Sequence, residues 1–191
     1  MKLWTLQPIE VWETLNNKGF YICEPNKAEL LKEYSFQRAY SWLIKEMEKR
    51  IGERPEGVVS PVWAWYKRNW KNKKPDLRES AYGKHGEKMV CIEIEKNYNE
   101  VVLSDFDDWH SVLNNCYCDK SISEEEWDKE HNWFNSLNSE KAEKVKRKSW
   151  EYIFDITPFQ NDWRSRGRYV QGTFWVLYLS EVRNFQFFIC K

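Results

Sequence analysis

The sequence predicts an α+β fold over residues 1–191, a single domain with a mainly antiparallel or split sheet flanked by helices. Three observations predict it. Lys88 to Glu95 alternates with the period of a strand, placing Val90, Ile92 and Ile94 on one face and Cys91, Glu93 and Glu95 on the other. Between Lys27 and Arg50, Leu30, Leu31, Tyr34, Ala39, Leu43 and Met47 recur near helical spacing with charges between them. Strands and helices then mix along the chain without the βαβ regularity of a parallel sheet.

In chain order, Lys2 to Gln7 alternates as a strand, and Pro8 to Leu15 reads as a short helix, with proline early and Gly19 as its stop. Gly19 to Cys23 is a second extended piece, and the long helical region that follows has a candidate break near Ser35. Pro55, Gly57 and Pro61 punctuate a loop before a strand at Trp63–Trp65. Asn69 to Gly86 is polar and basic with few apolar anchors, hence a long loop. Val101 to Leu103 is a strand that runs into a helix start. Ser121 to Lys148 is a charged helical insertion with a weak middle at Asn135–Ser139, which Trp150–Phe154 can extend. Tyr169–Leu179 and Phe185–Cys190 read as the last two strands.

The bulk numbers exclude several classes. Thirty Lys and Arg balance thirty Asp and Glu, so no global field steers the chain to nucleic acid or membrane. No early segment reads as a secretory leader, and no uncharged stretch approaches a membrane span. Five cysteines, an odd number, fit reduced thiols and a cytoplasmic location.

Twelve tryptophans exceed what a core of this size needs, since each large ring demands a flat contact and each buried indole N–H a partner. Five of them fall in short polar–aromatic motifs: Trp4-Thr5-Leu6-Gln7, Pro61 to Tyr66, Leu103 to Trp109, and Gln171 to Trp175. The excess predicts an aromatic-lined cleft for a flat ligand such as a base or a nicotinamide.

Ser104-Asp105-Phe106-Asp107 has the form of a capping box, an oxygen at the cap and an acid three residues on. The alternative is that Asp105 or Asp107 points into a cleft toward a ribose hydroxyl or magnesium. Cys116-x-Cys118 lacks the usual zinc spacing and reads as buried thiols, so no metal is expected. Lys67 to Lys74, followed by Arg78, interleaves bases with aromatics; it is a solvated loop or a phosphate-tracking patch for nucleic acid. Arg164, Arg166 and Arg168 form a second basic cluster, and the two together at one cleft would favour a phosphate-bearing ligand. Alternation sends Glu93 and Glu95 to solvent.

These motifs, with Pro75 to Arg78, Ser149-Trp150 and Ile153 to Asp155, carry a resemblance to the bacterial domain of unknown function 3841 family over essentially the whole chain. At the level of fold, the opening strand, short helix and Gly19, with middle and late strands at Trp63–Tyr66 and Gln171–Trp175, also resemble ADP-ribosyltransferase-like domains. That second resemblance implies an NAD-like nucleotide as ligand. It gives catalytic positions to Gln171 and Asp105, and ligand contacts to Trp4, Gln7, Trp63, Trp65, Tyr66, Arg78, Asp107 and Trp175. Two departures bear on chemistry. The first strand has no Arg or His, and Gln171 stands where a glutamate is expected, so it can hydrogen-bond a ribose hydroxyl but supplies no charge to a developing cation. A catalytically degenerate nucleotide binder is one reading; a non-enzymatic nucleic-acid or modified-base reader is the other.

Overall fold

The computed structural model describes residues 1–23, 34–79 and 82–191. Strand β1 (Lys2–Pro8) leads into helix α1 (Ile9–Lys18), which stops at Gly19 with φ 78°. That left-handed turn suits glycine, and its N–H closes on the Leu15 carbonyl. A two-residue strand β2 (Phe20–Tyr21) follows. Helix α2 (Tyr34–Ile51) carries Ala39, Leu43 and Met47 into the interior, as their spacing requires. Leu30 and Leu31 of the expected helical region lie outside the described residues.

The main sheet has six strands: β3 (Val62–Lys67), β4 (Lys88–Glu95), β5 (Val102–Asp105), β8 (Val170–Phe174), β10 (Val182–Ile189) and β1. They lie in the order β10-β4-β1-β3-β8-β5, every pairing antiparallel. The fold is α+β. Helix α3 (Phe106–Leu113) leaves β5 directly, and α4 (Glu124–Ser136) and α5 (Ser139–Ser149) flank a break at residues 137–138 inside the weak stretch the sequence marks. A 3₁₀ turn, Trp150–Phe154, then buries Trp150 and Ile153. β6 (Phe159–Gln160) pairs with β7 (Ser165–Arg166), and β2 with β9 (Leu177–Tyr178).

Three expectations change. The cap of α3 is Asp105, one residue past Ser104, because β5 continues through Ser104 and buries it. The stretch from Tyr169 to Leu179 is not one strand. After Phe174 the chain leaves the sheet, Trp175 turns into the core with its indole N–H on the Gly52 carbonyl, and β9 joins β2 instead. The Cys91 face of β4 does not simply meet solvent: Met89 and Cys91 are buried and Glu93 is half-buried, while Glu95 is exposed.

The sheet separates two apolar clusters. One face presents Leu3, Val62, Ala64, Val90, Ile92, Ile94 and Phe174 to Val11 and Leu15 of α1 and to Tyr21 and Leu177 of the small β2–β9 sheet. On the other side α2, α3 and the Trp150–Phe154 turn pack together around Leu43, Met47, Trp109, Val112, Trp150 and Ile153, with Val102 and Trp63 of the sheet and with Trp175. This second layer covers the sheet incompletely.

Candidate functional site

Antiparallel register places one residue of every strand in a row across the sheet. Asn184 pairs with Glu93, Glu93 with Trp4, Trp4 with Trp65, Trp65 with Gln171, and Gln171 with Ser104. Residues so paired share a face. Trp4, Trp65 and Gln171, far apart in the chain, therefore stand side by side, with Leu6 and Trp63 two residues along on the same face. Over them lies a cavity of about 610 Å³, closed by Phe36 and Tyr40 of α2, by Phe106, Asp107, Trp109 and His110 of α3, and by Arg68, Glu79 and Tyr82 of the long loop. Its size is that of a small-molecule site.

Two strings of rings wall it. Trp65, Phe106 and His110 follow one another with centroids 5.1 and 4.8 Å apart, the histidine edge-on to Phe106. Trp63 meets Trp109 at 5.3 Å, and Tyr40 stands edge-on to both. Such pairings fix ring planes beyond what burial alone does. Burial pushes the Tyr40 hydroxyl up to about 12, the Trp63 indole N–H acting the other way. That N–H is buried beside the hydroxyl but makes no hydrogen bond of ordinary geometry to it.

The polar groups divide into committed and uncommitted. The Trp4 indole donates to Glu93 at 3.0 Å, and Lys2 pairs with the same carboxylate at 2.8 Å and holds its pKa down. Arg68 stacks over Trp65, donates to Tyr82, and bonds Glu79 at 2.6 Å. Among the described residues nothing hydrogen-bonds the side-chain amide of Gln171, the carboxylate of Asp107 or His110 Nε2. Asp107 is open at its outer edge; partial desolvation, then the Asp105 charge, raises its pKa. The two basic clusters do meet: the Trp70 N–H donates to the Arg168 carbonyl at 2.9 Å, and Arg168 Nε reaches Asn69 at 3.3 Å. Arg168 lies over Tyr169, itself a wall of the cavity.

Of the residues the sequence singles out, Trp4, Trp63, Trp65, Asp107 and Gln171 converge on the cavity. The others do not. Asp105 is buried, accepting from the Asp107 and Asp108 N–H groups with one oxygen and from Gly167 N–H at 2.6 Å with the other. Its place is that of a cap that also ties down the β7–β8 connection. Gln7 donates to Thr5 Oγ1 and shares the opposite face with Leu3. Tyr66 packs against the Leu3 cluster, and Trp175 is a core residue. Arg78 lies 79% exposed and turns to Asp76, 2.6 Å away. Along Lys67–Lys74, Lys67 lies over the Tyr66 ring and Lys74 donates to Gln186, whereas Lys71 and Lys73 are exposed.

Tyr40, Phe106 and His110 are not among the site residues the sequence singles out. Phe106 and His110 sit four apart on α3, the spacing of one helix face, so the signal was present once the helix start was placed. Tyr40 lies on α2 beside Ala39, and only the packing of α2 on α3 brings it to the strands.

Among the described residues no group of three or more His, Cys, Asp and Glu side chains is arranged to hold a metal ion, and no helix is long and apolar enough to cross a membrane. Neither a curated protein nor a solved structure matches the chain. A family model described as a domain of unknown function, DUF3841, matches residues 2–183. Its span includes every element that builds the cavity, and the chain belongs to the DUF3841 family.

Proposed function

We propose that this chain is a nucleotide-binding domain whose cavity takes an NAD-like ligand by its flat ring. The observation that carries the reading is the row Trp4, Trp65 and Gln171. Three strands contribute two indoles and an unpaired amide to one wall, opposite further aromatics from α2 and α3. Base–aromatic stacking contributes about 1–3 kcal/mol per ring, and the Gln171 amide both donates and accepts, which suits a ribose hydroxyl. Arg168, at the rim beside Tyr169, is placed for phosphate; Arg78 is not.

An ADP-ribosyltransferase-like transfer would need a free carboxylate beside the ligand ribose. Gln171 supplies no charge, and both oxygens of Asp105 are taken by backbone N–H groups. Asp107 is the cavity carboxylate left for chemistry among the described residues, since Glu79 pairs with Arg68. Binding without transfer is therefore the primary reading. The buried thiols Cys91, Cys118 and Cys190 support a reducing, cytoplasmic location.

Calorimetric titration with NAD tests the proposal. Saturable heat is expected, with affinity falling about tenfold or more in Trp65→Ala and in Gln171→Ala. No heat with NAD, together with salt-sensitive binding of an oligonucleotide, would replace it by the nucleic-acid reading.

A further inference from the structure

The imidazole of His110 has an orientation that the nucleotide reading does not use. Its Nδ1 lies 2.9 Å from the Phe106 carbonyl, one helical turn back. A carbonyl oxygen only accepts, so Nδ1 carries the proton. In the neutral ring Nε2 then keeps a lone pair and only accepts. The Phe106 ring, edge-on at 4.8 Å, fixes the imidazole plane. His110 also ends the Trp65–Phe106 string of rings along the cavity wall. A flat ligand stacked along that wall meets at its edge a nitrogen that accepts, with the Asp107 carboxylate, a second acceptor, three residues earlier on the same helix face.

We infer that His110 is a specificity-determining residue, selecting flat rings that carry an amino group, either the carboxamide of a nicotinamide or the exocyclic amine of an adenine. The inference rests on the nucleotide reading above. An edge of acceptors favours a ligand N–H and disfavours a bare carbonyl or ring nitrogen, which would leave two lone pairs facing each other.

Two ligand pairs that differ only in the amino group separate the sources. Nicotinamide mononucleotide is compared with its 3-acetylpyridine analogue, and AMP with purine riboside monophosphate. In the wild type the amino-bearing member of one pair is expected to bind about tenfold tighter, the worth of one hydrogen bond. The pair that discriminates identifies the ring at this edge. His110→Phe keeps a ring against Phe106 and should bring the ratio near one; His110→Gln, which retains an accepting oxygen, should restore part of it. Nitrogen-15 resonances of the wild-type histidine should show Nδ1 protonated and Nε2 shifting on addition of the preferred ligand. Discrimination that survives in His110→Phe overturns the inference, as does binding of both pairs without discrimination in the wild type; either leaves the nucleotide reading standing. Failure of all four ligands to bind overturns both.

Discussion

The two faces of the central sheet share every strand and yet are finished in different ways. The Leu3 face is aliphatic and closed: α1 and the β2–β9 pair lie over it, and Leu3, Leu15, Val90, Ile92, Ile94 and Phe174 have no exposed surface. The Trp4 face is aromatic and polar, and its covering helices stop short, leaving the cavity. Period-two alternation makes this division possible, since neighbouring residues of one strand serve opposite ends. On β3, Trp65 walls the cavity and Tyr66 packs into the closed side. One face is sealed by its core, whereas the other carries a second core, around Leu43, Met47, Val112, Trp150 and Ile153, with an open cavity beside it.

Strand β1 carries the largest contrast, because Leu3 and Leu6 point to opposite faces. Leu3→Ala should cost about 2–5 kcal/mol, the range for a fully buried leucine whose surroundings cannot collapse. Leu6→Ala, beside a cavity that already exists, should cost clearly less. Chemical denaturation of both variants checks this. Equal losses would mean that the Trp4 face is as much a structural core as the other.

A second test sharpens the electrostatic side of the difference. Asp108, on α3 behind the cavity, bonds Arg164 at 2.8 and 3.0 Å, and its side chain is only 16% exposed. Burial outweighs the arginine and pushes its pKa up to about 6 from 3.8, while Asp108 in turn raises the pKa of Arg164. So little of the carboxyl reaches water that burial sets the response of the pair to pH. Between about pH 4 and 6 the folded state then binds more protons than the unfolded one, so this group makes stability fall as pH rises through that window. Its share is about 1–3 kcal/mol. Denaturation midpoints of the wild type and Asp108→Asn, followed from pH 4 to 7, should diverge in slope, the variant losing this component.

What could be read from the sequence divides along the same line. The closed face was legible because it is local: alternation in β4 and the Gly19 stop need no partner to be recognised. The aromatic motifs were legible as candidates, and five of the ten singled-out residues meet in the cavity. Their meeting depends on strand order and register, which no short motif encodes. Facing direction explains the misplacements: Gln7 and Tyr66 lie next to cavity residues in sequence and are turned away by alternation. Asp105 was recognised as an acid at a helix start, but only the Gly167 contact shows both oxygens occupied. Phe106 and His110 share a face only once Asp105 is fixed as the cap and Phe106 as the first residue of α3, and no short motif decides between Ser104 and Asp105.

The smallest effects concern the rim, where two arginines from the two basic clusters can be set against each other. Arg78 is exposed and turned to Asp76, whose pKa it holds far down; Arg168 lies over Tyr169 at the cavity wall with its Nε on Asn69. An exposed pair such as Arg78 and Asp76 contributes little and is screened by salt. Arg78→Ala should therefore leave both stability and nucleotide affinity unchanged. Arg168→Ala should weaken a phosphate-bearing ligand about tenfold, and leave the affinity of the free base or nicotinamide unaltered, because a charge at the rim acts on phosphate and not on the stacked ring. The salt dependence of nucleotide binding should flatten in the Arg168 variant alone. An equal loss from Arg78→Ala would place the phosphate over the loop, and would make the basic run, rather than the arginine beside β8, the rim of the open face.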